Sequence, residues 1–427
     1  MQKFSYLMIL VTLLVSGLSM QSCSNTKEKT FPKDSKYYFD GSLSREVLEN
    51  YLNRAVTLTE LLVDSKYSIV STMNPDKTDD VRLIKNIGAK FIGRAITRWD
   101  MEEHLVEPDF WDTPRKTAMA VHEVDPEVIL QAAIFETVSP KVSLVPIPEW
   151  VFEEFGLPVE KRNFSFEAML DPNGRYVGHW NGVSSVPDIT QLETQLWYMY
   201  LFGSYLDIGV EAIHWGQIAL IGMNDRGFVV WKQFLDRTRE YAKTHARRHY
   251  VFFDAHTPGG GMVLESGVSL LDFNSFPLRI KEVEDKPQQG ILEVGYLDGL
   301  YLRSKGCIAP GGWSCESLPY LVELDNFGIN NRPGESSINT IFVWGYDEIS
   351  WFARQPQDYQ KEWLAYADKW VRTTDPNGYF QMPVARKIAP AGDVPRERAR
   401  FNTPSAICPE GLGLEETIKE IWKNQNY

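Results

Sequence analysis

Apolar residues recur along this chain in two rhythms. In the first they fall three and four positions apart, the spacing of one face of an α-helix. Phe228, Trp231, Phe234, Leu235, Tyr241 and Ala242 follow it and predict a helix over about 226–248. Asn224 or Asp225 is placed to cap its start, and His245, Arg247 and Arg248 suit the negative end of its dipole. Leu192, Leu196, Met199 and Tyr200 predict a helix that starts at Pro187-Asp188 and runs to about Tyr205. Tyr359, Trp363, Tyr366 and Trp370 predict another over 356–371. Asp79-Asp80 opens a shorter helix that runs through Ile87 and stops at Gly88.

The second rhythm consists of short, unbroken apolar runs over 89–95, 128–135, 210–215, 250–253, 269–273, 320–324 and 340–344. Either 67–71 or 379–382 supplies one more. An unbroken run is the pattern of a strand covered on both faces, as in a parallel sheet. Runs of this kind alternating with helices predict an α/β fold. About seven or eight strands in a domain of this length fit a (β/α)8 TIM-type barrel, with a doubly wound open sheet as the alternative. Gly259-Gly260-Gly261 has neither the spacing nor the following Lys of a nucleotide-binding loop.

A polar or ionisable residue recurs where these runs end, and barrel enzymes place their chemistry at the carboxyl ends of strands. Arg94 and Glu136 close two of the runs. His214 and Gln217 follow VEAI, while Asp254 and His256 follow YVFF. Asp272 and Asn274 close SLLDFN, and Asp325 closes LVELD two residues after Glu323. Trp344 ends TIFVW. An unpaired carboxylate on a strand buried on both faces is costly, so its recurrence points to a lined cleft. Each residue also has a structural role open to it. Arg94 and Glu136 could form an ion pair, Asp254 or Asp325 could cap a turn, and His214 could be a satisfied buried imidazole. Trp215, Trp313, Trp344 and Trp351 suit core or pocket wall better than platforms for sugars.

Composition narrows the partner. The formal net charge of -13 argues against nucleic acid, which needs a basic footprint. Aromatic residues reach 13%, a supply that suits stacking on the faces of neutral sugars. Only 7 His are present, with no His-x-His and no His-Glu-x-x-His, so no metal site and no cofactor is expected. The sound ligand types Glu136, His214, Asp254, His256 and Asp272 keep a metal-dependent barrel enzyme as an alternative. Cys307 and Cys315 flank a short loop and could pair or stay reduced, while Cys408 is left over.

The first residues set the compartment. Residues 7–18 form an apolar run broken only by Thr12, Ser16 and Gly17, long enough for a signal peptide and too short to span a bilayer. Met20-Gln21-Ser22-Cys23-Ser24-Asn25 follows, and it resembles a bacterial lipoprotein signal. Met20 and Gln21 stand where Leu and a small residue are usual. The resemblance implies a signal peptide over 1–22, a lipid on Cys23 and an exported, membrane-anchored protein. Residues 23–36 read as a polar tether, and 37–427 as a single barrel domain.

Export, an acidic balance, aromatics and carboxylates at strand ends together resemble the carbohydrate-active barrel lipoproteins of bacteria. That resemblance implies a glycoside hydrolase acting on a carbohydrate through two carboxylates drawn from Glu136, Asp254 and Asp325. Arg94, His214, Gln217, His256, Asp272, Asn274 and Trp344 would then line the substrate. A glycan-binding lipoprotein without catalysis is the remaining alternative.

Overall fold

The computed structural model describes residues 31–68, 76–297, 304–338, 340–390 and 397–425. The expected signal peptide and Cys23 lie outside the described residues. Among those described, no helix is long and apolar enough to cross a membrane.

A ten-stranded sheet organises the chain. Its strands are β1 (Ala55–Leu58), β2 (Phe91–Thr97), β3 (Ile129–Ala133), β4 (Ala212–Gln217), β5 (Phe252–His256), β6 (Asn274–Pro277), β11 (Tyr320–Glu323), β12 (Gly378–Phe380), β13 (Met382–Ile388) and β14 (Glu397–Arg400). Two small ribbons, β7 (Lys281–Glu282) with β8 (Gly290–Ile291) and β9 (Cys307–Ile308) with β10 (Ser314–Cys315), stand outside it. Neighbours in the main sheet run β12-β11-β6-β5-β4-β3-β2-β1-β13-β14. Pairing is parallel except between β13 and β14. The sheet is curled and mostly parallel. β12 and β13 are one stretch of chain interrupted at Gln381: Tyr320 pairs with Gly378 on one flank, and Val56 pairs with Met382 on the other. Gln381 bonds both neighbours, donating its backbone N–H to Val322 O (2.9 Å) and its side-chain amide to Val56 O (3.1 Å).

Helices cover the outside. α2 (Thr78–Ile87) carries Asp79 and Asp80 in its first turn and ends at Gly88 with φ 69°. α3 (Asp112–Val124) links β2 to β3, and α5 (Leu192–Leu206) precedes β4. α7 (Val229–His245) is held at its start by Asp225, which accepts from Val230 N (3.0 Å) and Trp231 N (2.8 Å). α8 (Glu348–Ala353) and α9 (Gln357–Thr374) follow β11, and α10 (Glu415–Lys423) follows β14. The β5–β6 and β6–β11 connections carry no α-helix among the described residues, so the strict alternation expected from the sequence lapses there.

The amino ends of the strands enclose an apolar floor. Ala55, Phe91, Ile129, Ala212, Phe252, Phe273, Leu321 and Tyr379 pack together beneath Tyr37, Phe39, Leu48, Tyr51 and Leu52. The last three of these belong to α1 (Arg45–Leu52). Each fully buried ring or branched chain there contributes about 1.5–3 kcal/mol. Phe31 and Ser35 lie within the stretch expected as a tether. Phe31 instead sits 4.9 Å from the Arg248 guanidinium, and Ser35 bonds Glu127.

Two expected strands take another form. Residues 269–273 are not a strand: Ser269 Oγ accepts from Leu271 N (3.1 Å), a local bond that competes with ladder pairing, and the strand begins at Asn274. Within 340–344, Val343 and Tyr346 exchange backbone hydrogen bonds of 2.8 and 3.0 Å across Trp344 (φ 48°) and Gly345 (φ 81°). Positive φ at both central residues makes this a tight reversal. Of the two segments weighed for a last strand, 379–382 falls within β12 and β13, whereas Tyr67 closes a 3-10 turn. β1 carried no sequence expectation. Cys307 and Cys315 are register partners across β9 and β10, and both are free thiols with Sγ atoms 3.8 Å apart.

Candidate active site

The carboxyl ends of the strands gather most of the predicted residues. At β2 the backbone departs from regular pairing between Ile92 and Ile96, and Arg94 adopts φ 58°. A non-glycine residue pays roughly 1 kcal/mol for that conformation. It turns the guanidinium across to Glu323 on β11, to which Nε donates (3.1 Å) and Nη2 also bonds. Arg94 therefore pairs with Glu323, and the expected ion pair with Glu136 does not form. Arg386 Nη1 reaches the same carboxyl at 2.7 Å, and His256 Nε2 lies 3.3 Å away. Burial alone would raise the Glu323 pKa, but Arg94 and Arg386 outweigh it and hold the group well below the usual carboxylate range.

β4 breaks in a similar way between His214 and Gln217, where Gly216 takes φ 60°. A Cβ on Gly216 would overlap the Glu136 carboxyl. With glycine there, Gln217 turns both its backbone N–H (2.8 Å) and its side-chain amide (2.9 Å) onto Glu136, two residues beyond β3.

Asp254 on β5 accepts from Gln131 Nε2 (2.7 Å) and from Ser275 Oγ, and it faces His214 Nδ1 at 2.7 Å. The group is 1% exposed. His214 Nε2 is buried without a hydrogen-bond partner. Burial pulls the imidazole below its ordinary range against the pull of Asp254. A neutral ring whose Nδ1–H is donated to Asp254 leaves the Nε2 lone pair free, since the carboxylate only accepts. His214 and His256 stand ring to ring at 4.9 Å.

Asp325 follows β11, and 18% of its side chain is exposed. Burial and Glu323 raise its pKa, but His256, Arg279 and Arg94 together hold it below the ordinary range. Two neighbours go the other way. Asp347 caps α8 by accepting from Ser350 N (2.7 Å), and burial pushes its pKa up to about 6. Glu348 is paired with Arg279, and burial pushes it up to about 8.

An aromatic wall that sequence reading did not single out stands beside Glu136. Trp99 lies 5.6 Å from Phe135 and 5.1 Å from Trp180, and all three rings are partly exposed. Trp180 Nε1 donates to Glu136 O (2.8 Å), and the Arg94 guanidinium sits 5.2 Å from the Phe135 ring. The one available sequence signal was position: Phe135 directly precedes Glu136, and Trp99 lies just beyond β2.

Three predicted residues lie elsewhere. Asp272 precedes β6 and belongs to the amino end of the sheet. There it accepts from Phe253 N (2.8 Å) and Tyr250 Oη and pairs with Arg239 (3.2 Å). The cause is the strand start at Asn274, which reverses the end on which Asp272 falls. Asn274 bonds Ser304 Oγ (2.9 Å) and Gly260 O (3.3 Å), fastening two loops. Trp344 is 5% exposed, and its indole N–H is taken by Gln289 O at 2.9 Å. Among the described residues, no three His, Cys, Asp or Glu side chains form a group that could hold a metal ion.

No protein-family model and no curated protein matches the chain. Partial likenesses exist among solved structures. A debranching enzyme from Nostoc punctiforme superposes with a TM-score of 0.32 at 11% identity, over 56% of this chain and 53% of that one. An α-galactosidase from Thermus thermophilus gives 0.29 at 14% identity, over 52% and 40%. The GH36 α-galactosidase AgaA from Geobacillus stearothermophilus gives 0.28 at 11% identity, over 48% and 28%. The chain thus spans about half or less of the solved structures it resembles, and the substrates of those enzymes are theirs.

Proposed function

We propose that this chain is a carbohydrate-active enzyme that cleaves a glycosidic bond at the carboxyl ends of its strands, with Asp325 and Glu136 as the working carboxyl groups. One observation carries the reading: carboxyls from two separate strands lie beside a partly exposed aromatic wall. Arg94 connects them, over Phe135 on one side and on Glu323 on the other. Hydrolysis of this kind needs one ionised carboxylate and one proton donor. Asp325, held below the ordinary range and open to solvent, suits the first role, which leaves the second to Glu136. Asp254 is engaged with Gln131, His214 and Ser275, so it acts by positioning His214. The rings of Trp99, Phe135 and Trp180 would take the apolar faces of a sugar.

The same reading treats the strands as a closed (β/α)8 barrel. Its support is the 378–388 stretch, which pairs with β11 by one half and with β1 by the other. We propose further that the protein is exported and carried on a lipid at Cys23. Its support is the apolar run and the polar residues around that Cys. Replacing Cys23 with Ser should release the protein from membranes, and unchanged membrane association with normal processing would refute the anchor.

The deciding experiment incubates the form that begins after Cys23 with a panel of glycans. Asp325→Asn should lower turnover at least about 100-fold on the glycan that is cleaved. Binding without turnover would make this a glycan-binding protein instead. Loss of activity to a chelator, with rescue by a divalent ion, would replace the carboxylate mechanism with a metal-dependent one.

A further inference from the structure

A second charged cluster lies outside the carboxylate site, where β14 runs antiparallel to β13. Arg398 stands opposite Lys387, and Arg400, two residues on, opposite Ala385. Glu60 follows β1 and Arg98 follows β2, while α2 contributes Asp80 with Lys77 at its start. Five cations, Lys77, Arg98, Lys387, Arg398 and Arg400, face two buried carboxyls, Glu60 and Asp80.

The donors in this cluster outnumber the acceptors. The Arg398 side chain is 2% exposed, yet its Nε, Nη1 and Nη2 have no hydrogen-bond partner. Its approach to Asp80 is an ion pair at 3.8 Å, beyond bonding distance. Arg400 donates from Nη2 to Asp80 at 2.7 Å, but its buried Nε and Nη1 make no hydrogen bond. Arg98 Nη2 is likewise unbonded, 3.8 Å from Glu60. Burial, with Arg398 next in weight, pushes the neighbouring Lys77 amine down to about 7. Buried guanidinium donors are nearly always satisfied, and unmet groups in a native fold signal an unseen ion or water. The fork of a guanidinium fits the oxygens of a tetrahedral anion two at a time.

We propose that the Arg398–Arg400 cluster is a binding site for a tetrahedral oxyanion, sulfate or phosphate, whether free or as a substituent on a larger molecule. The anion takes the open donors of Arg398, Arg400 and Arg98 and offsets the surplus of positive charge. The site stands independently of the glycosidase reading.

Thermal unfolding of the protein, dialysed into a chloride buffer, tests it. Sodium sulfate and sodium phosphate are titrated against sodium chloride at matched ionic strength. Saturable stabilisation by one or both oxyanions is expected, and the stronger of the two identifies the anion. A response that only rises linearly is general salt exclusion and overturns the proposal, as does a response equal to that in chloride. Arg398→Met should weaken oxyanion binding about tenfold or more, because it deletes charge-assisted bonds. A wild-type response in this variant also overturns the proposal. If Arg398→Met does not fold, Lys77→Met carries the same comparison, with reduced affinity expected. Ion chromatography of the denatured protein gives the anion that co-purifies, and a sugar ester in that fraction would point to a substituted ligand.

Discussion

The carboxyl group of Glu136 occupies the space that a side chain on Gly216 would need. The two residues lie on adjacent strand ends, and the left-handed turn at Gly216 (φ 60°) brings Gln217 onto Glu136. Gly216→Ala combines backbone strain with this overlap. It should cost about 1–3 kcal/mol in urea denaturation and lower turnover by displacing Glu136. Unchanged stability and activity would show that Glu136 does not depend on the break in β4.

Glu348 makes stability fall with pH. Its pKa is pushed up to about 8 by burial, against ~4.3 in an unfolded chain. Between those values the folded state binds the extra proton, so the contribution is complete below about pH 4 and is lost as pH rises to about 8. Glu323 and Asp325 shift downward, so their contributions are present above the unfolded carboxylate range and are lost only in acid. Denaturation midpoints taken from pH 5 to 9 should decline for the wild type and flatten in Glu348→Gln. Parallel curves would refute the assignment.

Asp272 belongs to the amino end, and its substitution separates stability from chemistry. Asp272→Asn weakens the bonds to Phe253 N and Tyr250 and should cost about 1–3 kcal/mol. The kcat of the folded fraction should match the wild type, whereas a large loss would place Asp272 in the working site after all.

Trp99 provides the test of the aromatic wall. Trp99→Ala removes one partly exposed ring and leaves the Trp180 bond to Glu136 O in place. Losing one stacking surface, about 0.5–1.5 kcal/mol, should raise KM for a glycan about 2- to 10-fold with little change in kcat. An equal fall in kcat and kcat/KM would instead assign Trp99 to the transition state.

The sequence by itself determined the elements whose signals are local. The spacing of Trp231, Phe234 and Leu235 defined α7, the Asp79-Asp80 start and Gly88 stop bounded α2, and unbroken apolar runs marked most of the parallel strands. It also placed Arg94, Glu136, His214, Gln217, Asp254, His256 and Asp325 at or near strand ends, because a polar group after an apolar run is visible in one dimension. Tertiary structure decided what each of them touches. Arg94 meets Glu323, 229 residues away, and bypasses Glu136 because the backbone turns at Arg94 itself. Asp272 changed ends because the Ser269 hydroxyl bonds Leu271 N and delays the strand to Asn274. Trp99 and Trp180 became a wall only when strand order brought the ends of β2 and β3 together. Strand periodicity is local, whereas pairing, closure and charge partners depend on contacts distant in sequence, which no short pattern encodes.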